Sequence, residues 1–110
     1  MKNHVHTVVA ESFQKEVLEE KQPVLILYAD RNSEFADLLT ALNDFSNQSN
    51  HFVKTGVLAE NFTPVFQITY RVIGSPTFIL FDHGVEKGRL LGRANCEKIS
   101  DWIDGLVVFH

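Results

Sequence analysis

Continuous apolar runs alternate along this chain with spaced apolar stripes, and the two patterns predict different elements. A short β-branched run over residues 7–10 precedes Ser12, which can cap a helix carrying Phe13, Val17 and Leu18 and ending before Pro23. Residues 24–28 read Val-Leu-Ile-Leu-Tyr, apolar without a break. A strand covered on both faces reads this way, so this run predicts the central strand of a sheet. Asn32 or Ser33 can then cap a second helix, with Glu34 and Asp37 in the first turn, where the helix dipole favours negative charge. Its apolar stripe is Phe35, Leu38, Leu39, Leu42 and Phe45, and it should end in the polar segment 46–50.

Residues 52–58 predict a further strand with Gly56 inside it, and Thr63-Pro64 opens a helix with Phe66 and Tyr70 at i and i+4. The pattern then turns to a hairpin: a β-prone run over 77–81, a turn at Asp82-His83-Gly84, and a strand over 85–91 interrupted by Gly88. Asn95 caps a last helix with Ile99, Trp102 and Ile103 on one face. The order β-α-β-α-β-α-β-β-α predicts an α/β fold, a mixed central sheet with helices on both faces.

At 110 residues, 45% of them hydrophobic, the chain is long enough for one domain spanning 1–110 and too short for two. Ten basic against fourteen acidic residues leave a net charge of −4 with no Lys/Arg cluster, which argues against nucleic acid as a partner. The polar start of the chain and the lack of a long apolar run predict a cytoplasmic protein with no membrane partner. Cys96 is the one cysteine, so no intramolecular disulfide can form.

Several local signals together resemble the thioredoxin family. Pro-Val-Leu-Ile-Leu-Tyr-Ala-Asp at 23–30 is similar to the strand leading to that family's active site. Tyr-Arg-Val-Ile-Gly-Ser-Pro-Thr-Phe at 70–78 resembles its cis-proline loop, Phe-Asp-His-Gly at 81–84 its hairpin turn, and Leu91-Gly92 its closing strand. The resemblance spans nearly the whole chain and implies a thioredoxin-like fold. It places Asn32, Ser33, Glu34 and Phe35 where the family has Cys-Gly-Pro-Cys. A helix N-terminus makes the first cysteine of such a motif a thiolate and the second resolves the mixed disulfide. Asn32 and Phe35 can do neither. Ile26 also stands where the family often has a buried acid, and Tyr28-Ala-Asp-Arg31 replaces its tryptophan-rich approach. The resemblance therefore implies a redox-inactive member that needs no cofactor.

What such a chain can retain is a binding surface. If Pro76 is cis, the backbone of Ser75 can pair with an extended peptide as one added strand, flanked by Tyr28, Arg31, Asn32, Phe35, Ile73 and Arg93. The competing reading is that Pro76 only starts a strand and fixes a turn. Phe35 either plugs the space of the missing thiols, the expected outcome, or stays exposed as a peptide contact.

Cys96, just after the cap Asn95, is a candidate reactive thiol because a helix start lowers a thiol pKa, while the adjacent Glu97 opposes it; an ordinary packing thiol is the expected reading. His4 and His6 would share a strand face, but His51, His83 and His110 fall at loop or terminal positions, so surface histidines and no metal are expected. Most of the nine phenylalanines should be core, and the tail 106–109 should pack rather than form an interface. The expected function is protein interaction or chaperone-type binding of extended polypeptide. Thiol-disulfide exchange through Cys96 is the alternative, and a structural subunit of a larger complex is a third reading. Partner identity and oligomeric state stay open.

Overall fold

A computed structural model describes residues 5–48 and 52–106. The elements follow in the expected order: β1 (Val5–Val8), α1 (Ala10–Phe13) running on as a π-helical turn (Gln14–Leu18), β2 (Val24–Tyr28) and α2 (Phe35–Gln48). After them come β3 (Lys54–Leu58), a 3-10 turn (Glu60–Phe62), α3 (Thr63–Tyr70), β4 (Thr77–Asp82), β5 (Val85–Leu91) and α4 (Cys96–Leu106). One five-stranded sheet runs in the order β1-β3-β2-β4-β5. The pairs β1–β3 and β2–β3 are parallel, and β2–β4 and β4–β5 are antiparallel. Every residue of β2 is buried, as its unbroken apolar run requires of a central strand.

Strand alternation divides the core in two. Leu25, Leu27, Phe78 and Leu80 face one side, where Leu38, Leu42 and Phe45 of α2 and Ile99 and Ile103 of α4 cover them. Val24, Ile26, Tyr28, Ile79 and Phe81 face the other, against Phe13 and Val17 of the first helix and Phe62 and Phe66 of α3. That second side is an aromatic cluster, with Phe13 edge-on to Phe62, Phe66, Tyr70 and Phe81 at 5.6–5.9 Å between centroids.

Several sequence expectations shift. Ser12 does not cap the first helix: it lies inside it, its hydroxyl bonded to the Glu16 carboxylate, while the cap position is Val9 with no side-chain cap bond. The β-branched run forms a strand at Val5–Val8 rather than over 7–10. Phe52 is 81% exposed, outside β3 and outside the core, because that strand starts only at Lys54. His4, His51, His110 and the tail residues 107–109 lie outside the described residues. Leu106 itself packs against β5, where a Cβ on Gly88 would come within 2.7 Å of its side chain.

The hairpin turn is the two residues His83-Gly84, both at positive φ (53° and 77°), as a type I′ turn demands. Gly84 is required twice over, since a Cβ there would also lie 2.6 Å from the carbonyl oxygen of Leu18. Further along β5 the ladder slips: Leu80 pairs with Gly88 but Phe81 with Glu86, leaving Lys87 as a bulge. In a regular strand residues three apart face opposite sides. The bulge reverses that parity, and Glu86 and Arg89 form an ion pair on one face.

Candidate functional site

The segment between β2 and α2 is built by its own side chains. Asn32 holds the turn ahead of α2: its Oδ1 accepts the Glu34 N–H (2.9 Å) and its carbonyl accepts the Phe35 N–H (3.1 Å), while the cap position is Glu34, whose carbonyl accepts the Leu38 N–H, rather than the expected Asn32 or Ser33. Arg31 folds back over this turn. Its guanidinium donates to the carbonyls of Ala29 (3.0 Å) and Leu58 (2.7 Å), at the ends of β2 and β3, and sits 4.1 Å from the centre of the Phe35 ring. Charge, backbone and aromatic face are thereby satisfied together. Phe35 matches neither extreme expectation: half-buried, it packs its inner side on the α2 core and lies under Arg31 on the other.

The loop between α3 and β4 meets this turn. Arg71 closes α3 in the left-handed conformation (φ 54°), and the Val72 N–H bonds to the Gln67 carbonyl. The Ser75–Pro76 peptide bond is cis. Three bonds hold the loop: the Asp30 N–H to the Ser75 hydroxyl (2.9 Å), the Thr77 hydroxyl to the Gly74 carbonyl (2.6 Å), and the Gly92 N–H to the Pro76 carbonyl (2.9 Å). Pro76 is buried and Ser75 exposed. The main-chain N–H and C=O of Ser75 bond to no described residue. Beside them stand two exposed apolar side chains, Ile73 (85%) and Leu91 (51%). Sequence reasoning named Leu91 only as part of the closing strand and not as a peptide contact, although the hairpin pattern places it last on β5, opposite Thr77.

Of the flanking residues expected to touch a peptide, Tyr28 is buried. It shares a strand face with Val24 and Ile26, is 6% exposed and stacks on Phe66; burial, then the Asp30 carboxylate, push its hydroxyl above the usual tyrosine range. Arg31 is engaged as described, so it is no free contact, and Pro76 offers only its backbone setting. Arg93 pairs with Glu34 at 3.2 Å, the arginine exposed and the glutamate partly so, tying the approach to α4 to the start of α2. Ser33 is exposed and, among the described residues, makes no side-chain bond. Ile26 is fully buried in the aromatic cluster, with no carboxylate in that core.

A second support escaped the sequence entirely. Arg89 donates through its guanidinium to the carbonyls of Tyr70 and Arg71 while paired with Glu86, pinning the end of α3 to the edge strand β5. It places a cation at a helix C-terminus, where the dipole favours one.

Cys96 stands apart from this loop. Half-buried, it lies against the far half of α2, its Sγ 3.8 Å from Gln48 Oε1, whereas the Asn32 turn opens that helix. Burial pushes its thiol above the usual range, and the carboxylates of Asp44 and Glu97 push the same way, so the helix start does not activate it. Two surface grooves run between α2 and α4: one of 440 Å³ lined by Asp37, Ala41, Arg93, Asn95 and Lys98 among others, one of 400 Å³ beside Cys96. Neither includes Ser75 or Ile73. Among the described residues no three His, Cys, Asp or Glu side chains gather as metal ligands, and no described helix is long and apolar enough to cross a membrane.

Family models and curated protein sequences offer no match to this chain.

Proposed function

We propose that this chain is a thioredoxin-like domain without dithiol chemistry that binds an extended segment of a protein partner along the Ser75 loop. The observation that carries the reading is the pair of unbonded main-chain groups at Ser75, in a loop that exposes Ile73 and has the exposed Leu91 against Gly74. One residue offering both N–H and C=O can take one antiparallel step of an added strand, and the apolar neighbours give that strand something to bury. The order of elements, the sheet with its helices on both faces, and the loop before β4 support the thioredoxin-like part of the reading. The sequence itself supports the loss of redox chemistry, because Asn32 and Phe35 supply no thiol. Thiol exchange through Cys96 is the weaker reading, since burial and the Asp44 and Glu97 carboxylates push its thiol pKa up and it lies against α2.

An array of overlapping twelve-residue peptides tests this, followed by NMR titration with the strongest binder. Shifts centred on Ser75 and Leu91, and loss of binding in Ile73→Asp, are expected. Binding that survives Ile73→Asp and perturbs other residues overturns it, as does an array with no binder. An insulin-reduction assay with dithiothreitol bears on the redox half: acceleration above background that vanishes in Cys96→Ser would transfer the function to that thiol.

A further inference from the structure

From Asn61 to Tyr70 the chain carries no charged residue. Phe62 and Phe66 are buried in the aromatic cluster, but the outer side of α3 carries an uncharged, partly apolar surface as well: Val65 is 58% and Ile68 79% exposed, with Pro64 and the neutral Gln67 and Thr69 also exposed. A surface helix ordinarily shows charge on its outer face. Here charge appears only at the two ends, Glu60 before the helix and Arg71 after it. Both are exposed, and among the described residues neither side chain has an ion-pair partner; Arg71 engages Arg89 only through its backbone carbonyl.

We propose that this face is a self-association surface, on which α3 of one copy packs antiparallel to α3 of a second copy. The argument for that occupant is charge complementarity. A two-fold axis passing between the two helices, level with the stretch from Val65 to Ile68, sets the acidic start of each helix against the basic end of the other. Glu60 then meets Arg71 of the second copy, and the reverse contact follows by symmetry. Antiparallel alignment also opposes the two helix dipoles favourably. In a parallel arrangement Glu60 would face Glu60 and Arg71 would face Arg71, so the same end charges select against it. The apolar centre lies at the axis, where a symmetric contact buries the same side chains from both copies. One short helix per copy supplies a small interface, so the dimer should be weak, with a Kd between about 1 μM and about 1 mM. This surface does not depend on the Ser75 reading and is tested apart from it.

Sedimentation velocity on the full chain, from about 10 μM to about 1 mM at low salt, reads the association directly. A monomer–dimer equilibrium is expected, and Ile68→Glu, at an exposed position where the fold tolerates a charge, should raise its Kd at least about tenfold with an unchanged far-UV CD spectrum. Glu60→Arg and Arg71→Glu should each weaken the dimer, and the double variant should restore it, because the exchanged charges again oppose each other. A chain that is monomeric throughout the range overturns the proposal. So does a dimer indifferent to Ile68→Glu, or one that the double charge exchange fails to restore.

Discussion

Arg31 shows how much one side chain can settle locally. A surface arginine ordinarily carries little stability, yet this one bonds two carbonyls at strand ends and covers an aromatic ring. Removing it would leave those carbonyls to water and bare the Phe35 face. Arg31→Ala is therefore expected to cost about 1–2 kcal/mol, discounted for partial exposure, with Arg31→Lys recovering only part because an ammonium cannot span both carbonyls. Urea unfolding measures it, and a loss under about 0.5 kcal/mol would mean the guanidinium is an ordinary surface charge. The tyrosines offer a second measurement at this scale. Tyr28 and Tyr70, the two in the chain, are both raised above 10.0, first by burial and then by a nearby carboxylate, Asp30 for one and Glu86 for the other. A pKa raised on folding contributes stability that is fully present below pH 10.0 and lost as pH rises through the folded value. Tyrosinate absorbance should thus lag behind that of the unfolded chain in alkaline titration; coincident curves would contradict the buried placement.

Among the elements, β5 decides most about the loop it borders. Its bulge at Lys87 turns Glu86 and Arg89 to one face, and Arg89 reaches across to the end of α3. The loop carrying Ser75 is thus hung between two fixed points, the α3 terminus and the start of β4. Arg89→Met should leave the Tyr70 and Arg71 carbonyls without their cation and cost about 2 kcal/mol. The same variant should quicken hydrogen exchange at the Val72 amide, whose bond to Gln67 closes that helix end. Unchanged exchange at Val72 would show that the helix end holds by itself. Glu86→Gln should have a smaller effect of the same sign, since it weakens the clamp without removing it.

At the scale of the whole molecule, the sheet separates two unlike cores: an aliphatic one under α2 and α4 with Phe45 and Phe78 in it, and an aromatic one under α3 and the first helix. Neither contains a disulfide, and Cys96 is the chain's one thiol. The monomer's melting temperature should therefore be the same with and without dithiothreitol. A drop of several degrees on reduction of the monomer would be incompatible with this architecture.

Hydrophobic periodicity by itself determined the order of elements, the central position of residues 24–28, the stripe of α2 and the hairpin, because burial on one or both faces imposes a period that shows in a single segment. That Asn32 and Phe35 offer no thiol and that Asn95 caps α4 were equally legible, since each depends on residue type at one position. Contacts between distant segments decided the rest. Tyr28 went inward because it shares a strand face with Ile26, and Arg31 was taken up by Leu58, twenty-seven residues away. Arg89 gained its role from a bulge that no local pattern marks, and Phe52 was left outside because β3 began two residues later than its apolar run. The loop at Ser75 could be located in the sequence; that its main-chain groups stand unbonded and that Leu91 comes up against this loop at Gly74 depends on how β2, β4 and β5 come together around it.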